Sequence, residues 1–275
     1  LIALGYAGYY IFVNKTPDNS VLTTDTNTNL PFGAQSGNRP IASSTANQNG
    51  SLNEKITINP LTHITSEPSA GGTLITTASS TTLRYIDAGT GHIRDVNLKT
   101  GEVIRISNTT IPKIHDSTWI DNGKAVVVRY FDDQTNSIRS YSADITAELK
   151  GIFLPSNIES IAAAPRSKRI YYIDTRNPEA QGVIANSDDT KKSTLFTSRS
   201  SEWLVTWPEE NIISMATKPS GAALGYMYTV NSKTGVLQRI LGDIAGLTTL
   251  TDPTGTLVAY SNSANELSIL NIKTN

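Results

Sequence analysis

The chain has 275 residues, enough for one large domain or two small ones. Its 23 Lys and Arg nearly balance its 24 Asp and Glu, and a net charge of −1 argues against nucleic acid as the main partner, because phosphate binding needs a concentrated positive surface. The lack of cysteine excludes disulfides, thiol catalysis and thiolate metal sites.

The chain starts with an apolar stretch, LIALGYAGYYIFV, that carries no charge until Lys15. It is shorter than the roughly 20 residues that span a bilayer. Because the first residue is Leu1 and no A-x-A-like cleavage site follows, we interpret residues 1–15 as part of a transmembrane helix or signal anchor. The alternative is the apolar region of a cleaved signal peptide.

The next segment, residues 16–55, changes sharply in composition. Ser, Thr, Asn, Gly and Pro dominate it, and large apolar residues are few. Such a segment buries too little apolar surface to offset the entropy lost on ordering. We therefore predict a disordered, flexible linker between the apolar helix and the rest of the chain.

Residues 56–275 contain a repeat. A turn residue is followed five positions later by the middle of a short apolar run, as in DNGKAVVV, PRSKRIYY and PTGTLVAY. The turn residues are Asp121, Pro165, Pro208 and Pro253, which lie 44, 43 and 45 residues apart. An earlier copy places Leu83 43 residues before Val126, which gives five copies in all.

Each copy has the same internal order of short runs and turns. Runs of four to seven residues, rich in Val, Ile and Tyr and bounded by turn residues, are typical of strands. Four antiparallel strands every 40 to 50 residues indicate a propeller blade. We predict an all-β fold, a β-propeller of four-stranded antiparallel blades that start near residues 72, 116, 158, 202 and 246.

One phrase marks the turn between the third and fourth strands. It occurs as NLKTGE from Asn97 and NSKTGV from Asn231, where Asn starts a tight turn and Gly takes a positive φ. A third copy, NIKTN from Asn271, ends the chain. Either the strand PLTHIT at Pro60–Thr65 completes the last blade, or the sequence is a fragment of a larger ring. The first residue and the short apolar stretch favour a fragment with more than five blades.

The repeats resemble those of WD-repeat-like propellers, including the periplasmic TolB-type family. The resemblance rests on the units TDPTGTLVAY, PRSKRIYYID and IDNGKAVVVRY, and it covers about residues 72–275. An anchor, a polar tether and a propeller together also resemble uncharacterised membrane-anchored bacterial proteins. The resemblance implies shape and location, and no activity comes with it.

A search for catalytic chemistry finds no candidate. His63, His92 and His115 fall in different repeats without metal-ligand spacing, and no nucleophile elbow or phosphate loop occurs. The pair Asp132-Asp133 does not match a calcium loop and is interpreted as a solvated turn. We therefore predict no catalytic, cofactor-binding or metal-binding residue.

The tryptophans are the candidate contact residues. Trp119, Trp203 and Trp207 lie in first-strand runs, and first strands line the centre of a propeller. Their rings either stack on a ligand at the channel mouth or pack between blades, as large aromatic side chains commonly do. Packing is the favoured interpretation for Trp119 and Trp207.

The sequence favours a binding scaffold over an enzyme. We expect a single-pass membrane protein with the propeller on the extracytoplasmic side, binding a protein or glycan partner on one propeller face. The alternatives are a propeller enzyme acting on envelope glycans or peptides and a structural component of a cell-envelope assembly, because a fold alone does not define an activity.

Overall fold

The computed structural model of the chain describes residues 54–55, 61–146 and 148–273. These residues form an all-β structure of antiparallel sheets arranged as the blades of a propeller, which confirms the predicted fold class. The predicted apolar helix and the linker up to residue 53 lie outside the described residues. In the described part of the chain, no helix is long and apolar enough to cross a membrane.

The strands fall into five blades, numbered in chain order. Blade 1 and its added edge strand comprise β1 (Glu54–Lys55), β2 (Ser69–Thr76), β3 (Thr81–Asp87), β4 (Ile93–Asn97) and β5 (Glu102–Arg105). Blade 2 comprises β6 (Ile114–Ile120), β7 (Ala125–Asp132), β8 (Ser137–Asp144) and β9 (Lys150–Phe153). Blade 3 comprises β10 (Ile158–Ala163), β11 (Arg169–Asp174), β12 (Ala180–Asn186) and β13 (Ser193–Ser198). Blade 4 comprises β14 (Trp203–Glu209), β15 (Ile212–Thr217), β16 (Leu224–Asn231) and β17 (Leu237–Ala245), and blade 5 comprises β18 (Thr248–Thr251), β19 (Leu257–Ser261) and β20 (Leu267–Asn271).

Each blade is an antiparallel meander in which strands pair in chain order. The first strands β2, β6, β10 and β14 contact one another in succession, so they form the inner side of the propeller. The two-residue strand β1, at the end of the predicted linker, pairs with β5 at the outer edge of blade 1. Blade 5 has three strands, and within the described residues β20 pairs with β19 alone.

The segment before blade 1 does not close the ring. Residues 61–65 form no strand, so the interpretation in which Pro60–Thr65 completes the last blade is wrong. Ile64 instead packs against Tyr85, Val96 and Val103 of blade 1. Its apolar side chain is therefore partly buried against the first blade, on a sheet face that would otherwise be more open to water.

Alternate residues of each second strand face opposite neighbours. Val127, Tyr171 and Ala216 lie on the same side of the second strands of blades 2, 3 and 4, and each packs against the next blade in the chain. Residues on the other side, such as Val126 and Tyr172, pack against the preceding blade. We call these two sides the outgoing and incoming faces. This alternation places the main apolar cores between blades.

The outgoing face of blade 5 is open. Leu250, Leu267 and Ile269 are 71%, 75% and 73% exposed on that face. On the incoming face of the same sheet, Val258 is fully buried against blade 4. Blade 5 therefore buries apolar side chains on one of its two faces only.

The repeated phrase forms the predicted turn. In blade 1 the Asn97 side chain accepts hydrogen bonds from the backbone N–H groups of Lys99 and Thr100, at 2.9 and 3.1 Å. In blade 4 Asn231 accepts two equivalent bonds, both 3.0 Å long. Gly235 closes the blade 4 turn with a φ of 71°, in the left-handed region that favours glycine.

The substitution Gly235→Ala tests the need for this backbone conformation. We expect it to lower the free energy of unfolding by about 1 kcal/mol, because a Cβ disfavours positive φ while the nearest atoms, 3.6 Å away, leave space for a methyl group. Gly221→Ala is the matched control, since Gly221 is exposed and an added methyl group there would have no atom within 4 Å. Equal effects of the two changes in urea unfolding would contradict the backbone argument.

Candidate functional site

A cavity lies where the inner strands of blades 2 and 3 begin. Its volume is about 740 Å³, and it is bounded by the first residues of β6 and β10 together with Leu204 and Lys218 of blade 4. Side chains from blades 2, 3 and 4 therefore contribute to one space. We call it the mouth cavity. Because its walls include strand residues, the positions of its polar groups are fixed by the sheets.

Three carboxylates mark this end of the propeller, one from each of blades 2, 3 and 4. Asp116 and Glu159 line the mouth cavity, and Glu202 precedes β14 at its edge. Their side chains are 38%, 33% and 63% exposed, so each reaches solvent. The acids occur 43 residues apart in the sequence, because each stands near the start of the first strand of its blade.

Arg129 connects blade 2 to blade 3 at the mouth cavity. One terminal nitrogen of its guanidinium lies 3.1 Å from Asp116 Oδ2, and the other donates to the Ile158 carbonyl oxygen at 3.0 Å. Its Nε is buried and has no hydrogen-bond partner among the residues that the structure describes. A guanidinium bound to both a carboxylate and a backbone carbonyl fixes the relative positions of β7 and β10.

Lys218 makes the equivalent connection between blades 4 and 3. Its ammonium contacts the Glu159 carboxylate and lies 3.3 Å from Glu202 Oε2. The hydrogen bond to Glu159 is the main reason that the pKa of Lys218 is raised, and the second bond to Glu202 acts in the same direction. Lys218 is therefore a stable positive charge shared by two carboxylates.

Glu202 at the edge of the mouth cavity gives the site an excess of acids. Asp116 and Glu159, which line the cavity, match Arg129 and Lys218 in number. With Glu202, which pairs with Lys218, three carboxylates face two cations. His115 adds an imidazole whose Nδ1 lies 2.8 Å from Asp116 Oδ2. Such an arrangement attracts a cationic group of a ligand. In the described ranges, no group of three His, Asp or Glu side chains is placed to hold a metal ion.

Two of the predicted contact residues are buried between blades 3 and 4. Trp203 and Trp207 are each 6% exposed and belong to one apolar cluster with residues of both blades. The indole N–H of Trp203 donates to the Ser200 carbonyl oxygen at 2.9 Å, and that of Trp207 donates to the Glu210 carbonyl oxygen at 3.3 Å. Both rings therefore contribute to inter-blade packing.

Trp119 is half-buried beside the cluster between blades 1 and 2. Its indole N–H is buried without a hydrogen-bond partner in the described part of the chain. None of the three tryptophans lines the mouth cavity, and Trp203 lines a second cleft on blade 4. Ligand contact by Trp119, Trp203 and Trp207 stays a prediction.

The mouth residues were missed by sequence reasoning. Arg129 and Lys218 resemble ordinary surface cations in the sequence, and His115 was considered there only as a metal ligand, for which its spacing is wrong. The one available signal is the recurrence of an acid at the start of the first strand, at Asp116, Glu159 and Glu202. A comparison that aligned polar positions as well as apolar ones would have found it.

No protein-family model and no curated protein match the sequence. Solved structures do match its fold. TolB from Agrobacterium tumefaciens is 12% identical, with a TM-score of 0.52 over 75% of this chain and 78% of that one. TolB from Acinetobacter baumannii is 10% identical, with a TM-score of 0.51, and the match covers 74% of this chain and 50% of that one.

A third match is oligogalacturonate lyase from Vibrio parahaemolyticus, 13% identical with a TM-score of 0.52. It covers 70% of this chain and 60% of that one. The chain thus spans half of the Acinetobacter TolB and three fifths of the lyase. At these identities the matches establish a β-propeller fold similar to that of TolB and the lyase, and the activity has to be argued from the site.

Proposed function

We propose that the chain is a binding module that captures a segment of another protein through a Lys or Arg side chain at the mouth cavity. The observation that carries this proposal is the set of three carboxylates from three successive blades, two lining the cavity and Glu202 at its edge, which face two cations. The cavity volume lies within the range of about 300–1,000 Å³ that is typical of ligand sites.

The ion pairs at the mouth keep the acids in place without using all of their capacity. A carboxylate has two oxygens and accepts several hydrogen bonds, so an acid paired with one cation can still accept from a ligand. Glu159 and Glu202 share a single ammonium, that of Lys218. An incoming guanidinium or ammonium therefore finds two partly neutralised acids on neighbouring blades.

Binding is favoured over catalysis by the same contacts. A general acid or base needs a free position beside the reacting atom. At the mouth, Asp116 is paired with Arg129 of the same blade, and Glu159 is paired with Lys218 of the next blade. These ion pairs hold the two carboxylates in fixed positions, which suits the binding of a charged ligand. An enzyme acting on envelope glycans or peptides is the alternative hypothesis.

The proposal includes a location outside the cytoplasmic membrane. It is supported by the apolar composition of residues 1–15 and the polar composition of residues 16–55, which together suit an anchor and a tether. Membrane flotation of the full chain, compared with a variant carrying Leu4→Arg and Ile11→Arg, tests it. Flotation of both chains alike would contradict the anchor.

Glu159→Gln tests the role of the mouth carboxylates. We expect it to weaken binding of Lys- and Arg-containing octapeptides about two- to five-fold, since a partly exposed ion pair contributes up to about 1 kcal/mol. The measurement is an array of octapeptides probed with the full chain, followed by titration of the strongest binders. Glutamine keeps the size of the side chain and removes its charge.

The matched control is Glu102→Gln, the same change on the fourth strand of blade 1. It should leave peptide binding unchanged. An array with no preference for Lys or Arg, or equal losses in the two variants, would overturn the proposed function. Hydrolysis of the peptides or of a glycan by the unmodified chain would instead support the enzyme alternative.

A further inference from the structure

We propose that a cleft on blade 4 is a second subsite, which takes an aromatic side chain of the same bound segment. This inference rests on the proposed function of the mouth cavity and adds the chemistry of the neighbouring ligand residue. The cleft has a volume of about 610 Å³. The sequence analysis did not predict a site here, although it named Trp203, which forms part of the floor of the cleft, as a candidate contact residue.

The walls of the cleft come from two connections. One is the link between β13 and β14, which supplies Ser200 and Glu202. The other is the hairpin between β15 and β16, which supplies Pro219, Ser220 and Ala223. The hairpin is braced by the Ser220 hydroxyl, which accepts hydrogen bonds from the backbone N–H groups of the two alanines that follow it.

The floor of the cleft is aromatic and held in place. Trp203 meets Tyr228 edge to face with ring centroids 6.0 Å apart, and it meets Phe196 edge to face at 5.3 Å. Leu224 stands at the border of the cleft and is 51% exposed. A floor built from packed rings beside an exposed aliphatic side chain is suited to a planar apolar group.

The cleft adjoins the mouth cavity. Lys218 lines both spaces, and Glu202 contacts Lys218 from the cleft side. Leu204 and Trp203 are successive residues on opposite faces of β14, so one side chain lies in the mouth cavity and the other in the cleft. A ligand that reaches both spaces must pass over the start of β14, which requires an extended chain.

The combination of charges and rings favours a peptide over a glycan. The acids of the mouth cavity attract a cationic group. Neutral sugars have no such group, and the carboxylates of uronic acids would be repelled by the mouth acids. Among the rings that line the cleft, Trp203 is 6% exposed, and the half-buried Tyr226 and Tyr228 offer the accessible ring surface. A peptide with a basic residue followed within a few positions by Phe, Tyr or Trp could place its cation in the mouth cavity and its aromatic side chain in the cleft.

The test uses the full chain and three Gly/Ser-based peptides. The first carries Lys alone, the second Phe alone, and the third carries both, with the Lys-to-Phe spacing varied from one to four residues. We expect the third peptide, at its best spacing, to bind about ten-fold more tightly than the first, as burial of part of an aromatic ring would give.

The variant Ala223→Trp fills the cleft and should abolish the ten-fold gain while leaving the affinity for the Lys-only peptide unchanged. Ala222→Trp is the matched control, because Ala222 is the adjacent exposed residue and does not line the cleft. It should preserve the gain.

Lys-dependent binding without any gain from Phe, at every spacing, would overturn the subsite and leave the proposed function intact. Loss of the gain in both tryptophan variants would also contradict it. If the Lys-only peptide fails to bind at all, the proposed function itself is wrong. Tighter binding of a neutral oligosaccharide than of any peptide would overturn both.

Discussion

Replacement of Tyr171 by alanine is expected to lower the free energy of unfolding by about 3–5 kcal/mol, the range observed when a large buried aromatic is truncated. Tyr171 is fully buried on the outgoing face of blade 3. It lies in one cluster with Trp203, Trp207 and Met215 of blade 4. The loss should appear in urea unfolding followed by circular dichroism, because the cavity would open between two blades.

Tyr171→Phe separates ring packing from the hydroxyl group. The hydroxyl donates to Met215 Sδ at 3.1 Å, so its removal should lower the free energy of unfolding by about 1 kcal/mol or less. If Tyr171→Phe lowered the free energy of unfolding by several kcal/mol, the hydroxyl group would contribute more to stability than the packing of the ring. A loss below 1 kcal/mol in Tyr171→Ala would contradict the packing of blades 3 and 4 described above.

Gly182→Ala is expected to cost about 2–3 kcal/mol through overpacking of the same interface. A methyl group on Gly182 would overlap the Tyr171 hydroxyl and lie 2.7 Å from the ring carbon that bears it. The added methyl group would also lie 3.1 Å from Phe196 Cβ, so it has little room to shift, and the ring of Tyr171 is itself fully buried. Thermal and urea unfolding measure the change.

The double variant Gly182→Ala with Tyr171→Phe tests this mechanism. Without the hydroxyl, part of the overlap disappears, and the cost of the added methyl group should fall measurably below its cost in the unmodified chain. The two substitutions would then be coupled. Strict additivity of their effects would indicate that the methyl group clashes elsewhere.

The fold could be predicted because the same strand pattern recurs in every blade. Five short apolar runs at nearly constant spacing each correspond to a second strand, with Leu83, Val126, Ile170, Ile213 and Val258 at equivalent places. Each blade hides its apolar side chains against a neighbour, so the same pattern of alternate burial must recur in every copy. The turns that begin at Asn97 and Asn231 could also be predicted from sequence, because a tight turn depends mainly on its own residues.

The candidate site could not be predicted because it depends on contacts between repeats. Arg129 reaches a carbonyl of blade 3, and Lys218 reaches the acid of the preceding blade. Neither partner is a neighbour in sequence. The spacing of the repeats places Trp203 and Trp207 on a first strand. It does not show whether each ring points to the central axis of the propeller or to a neighbouring blade. That choice depends on the register of β14 with β15, which only the pairing reveals.

Blades 2 to 4 are each covered on both faces by neighbouring blades. Strands enclosed in this way have the largest local free energies of opening, so their backbone amides should exchange slowly with solvent. The mouth cavity is formed by these three blades. A ligand there would meet a rigid surface, and its binding would cost little ordering of the protein.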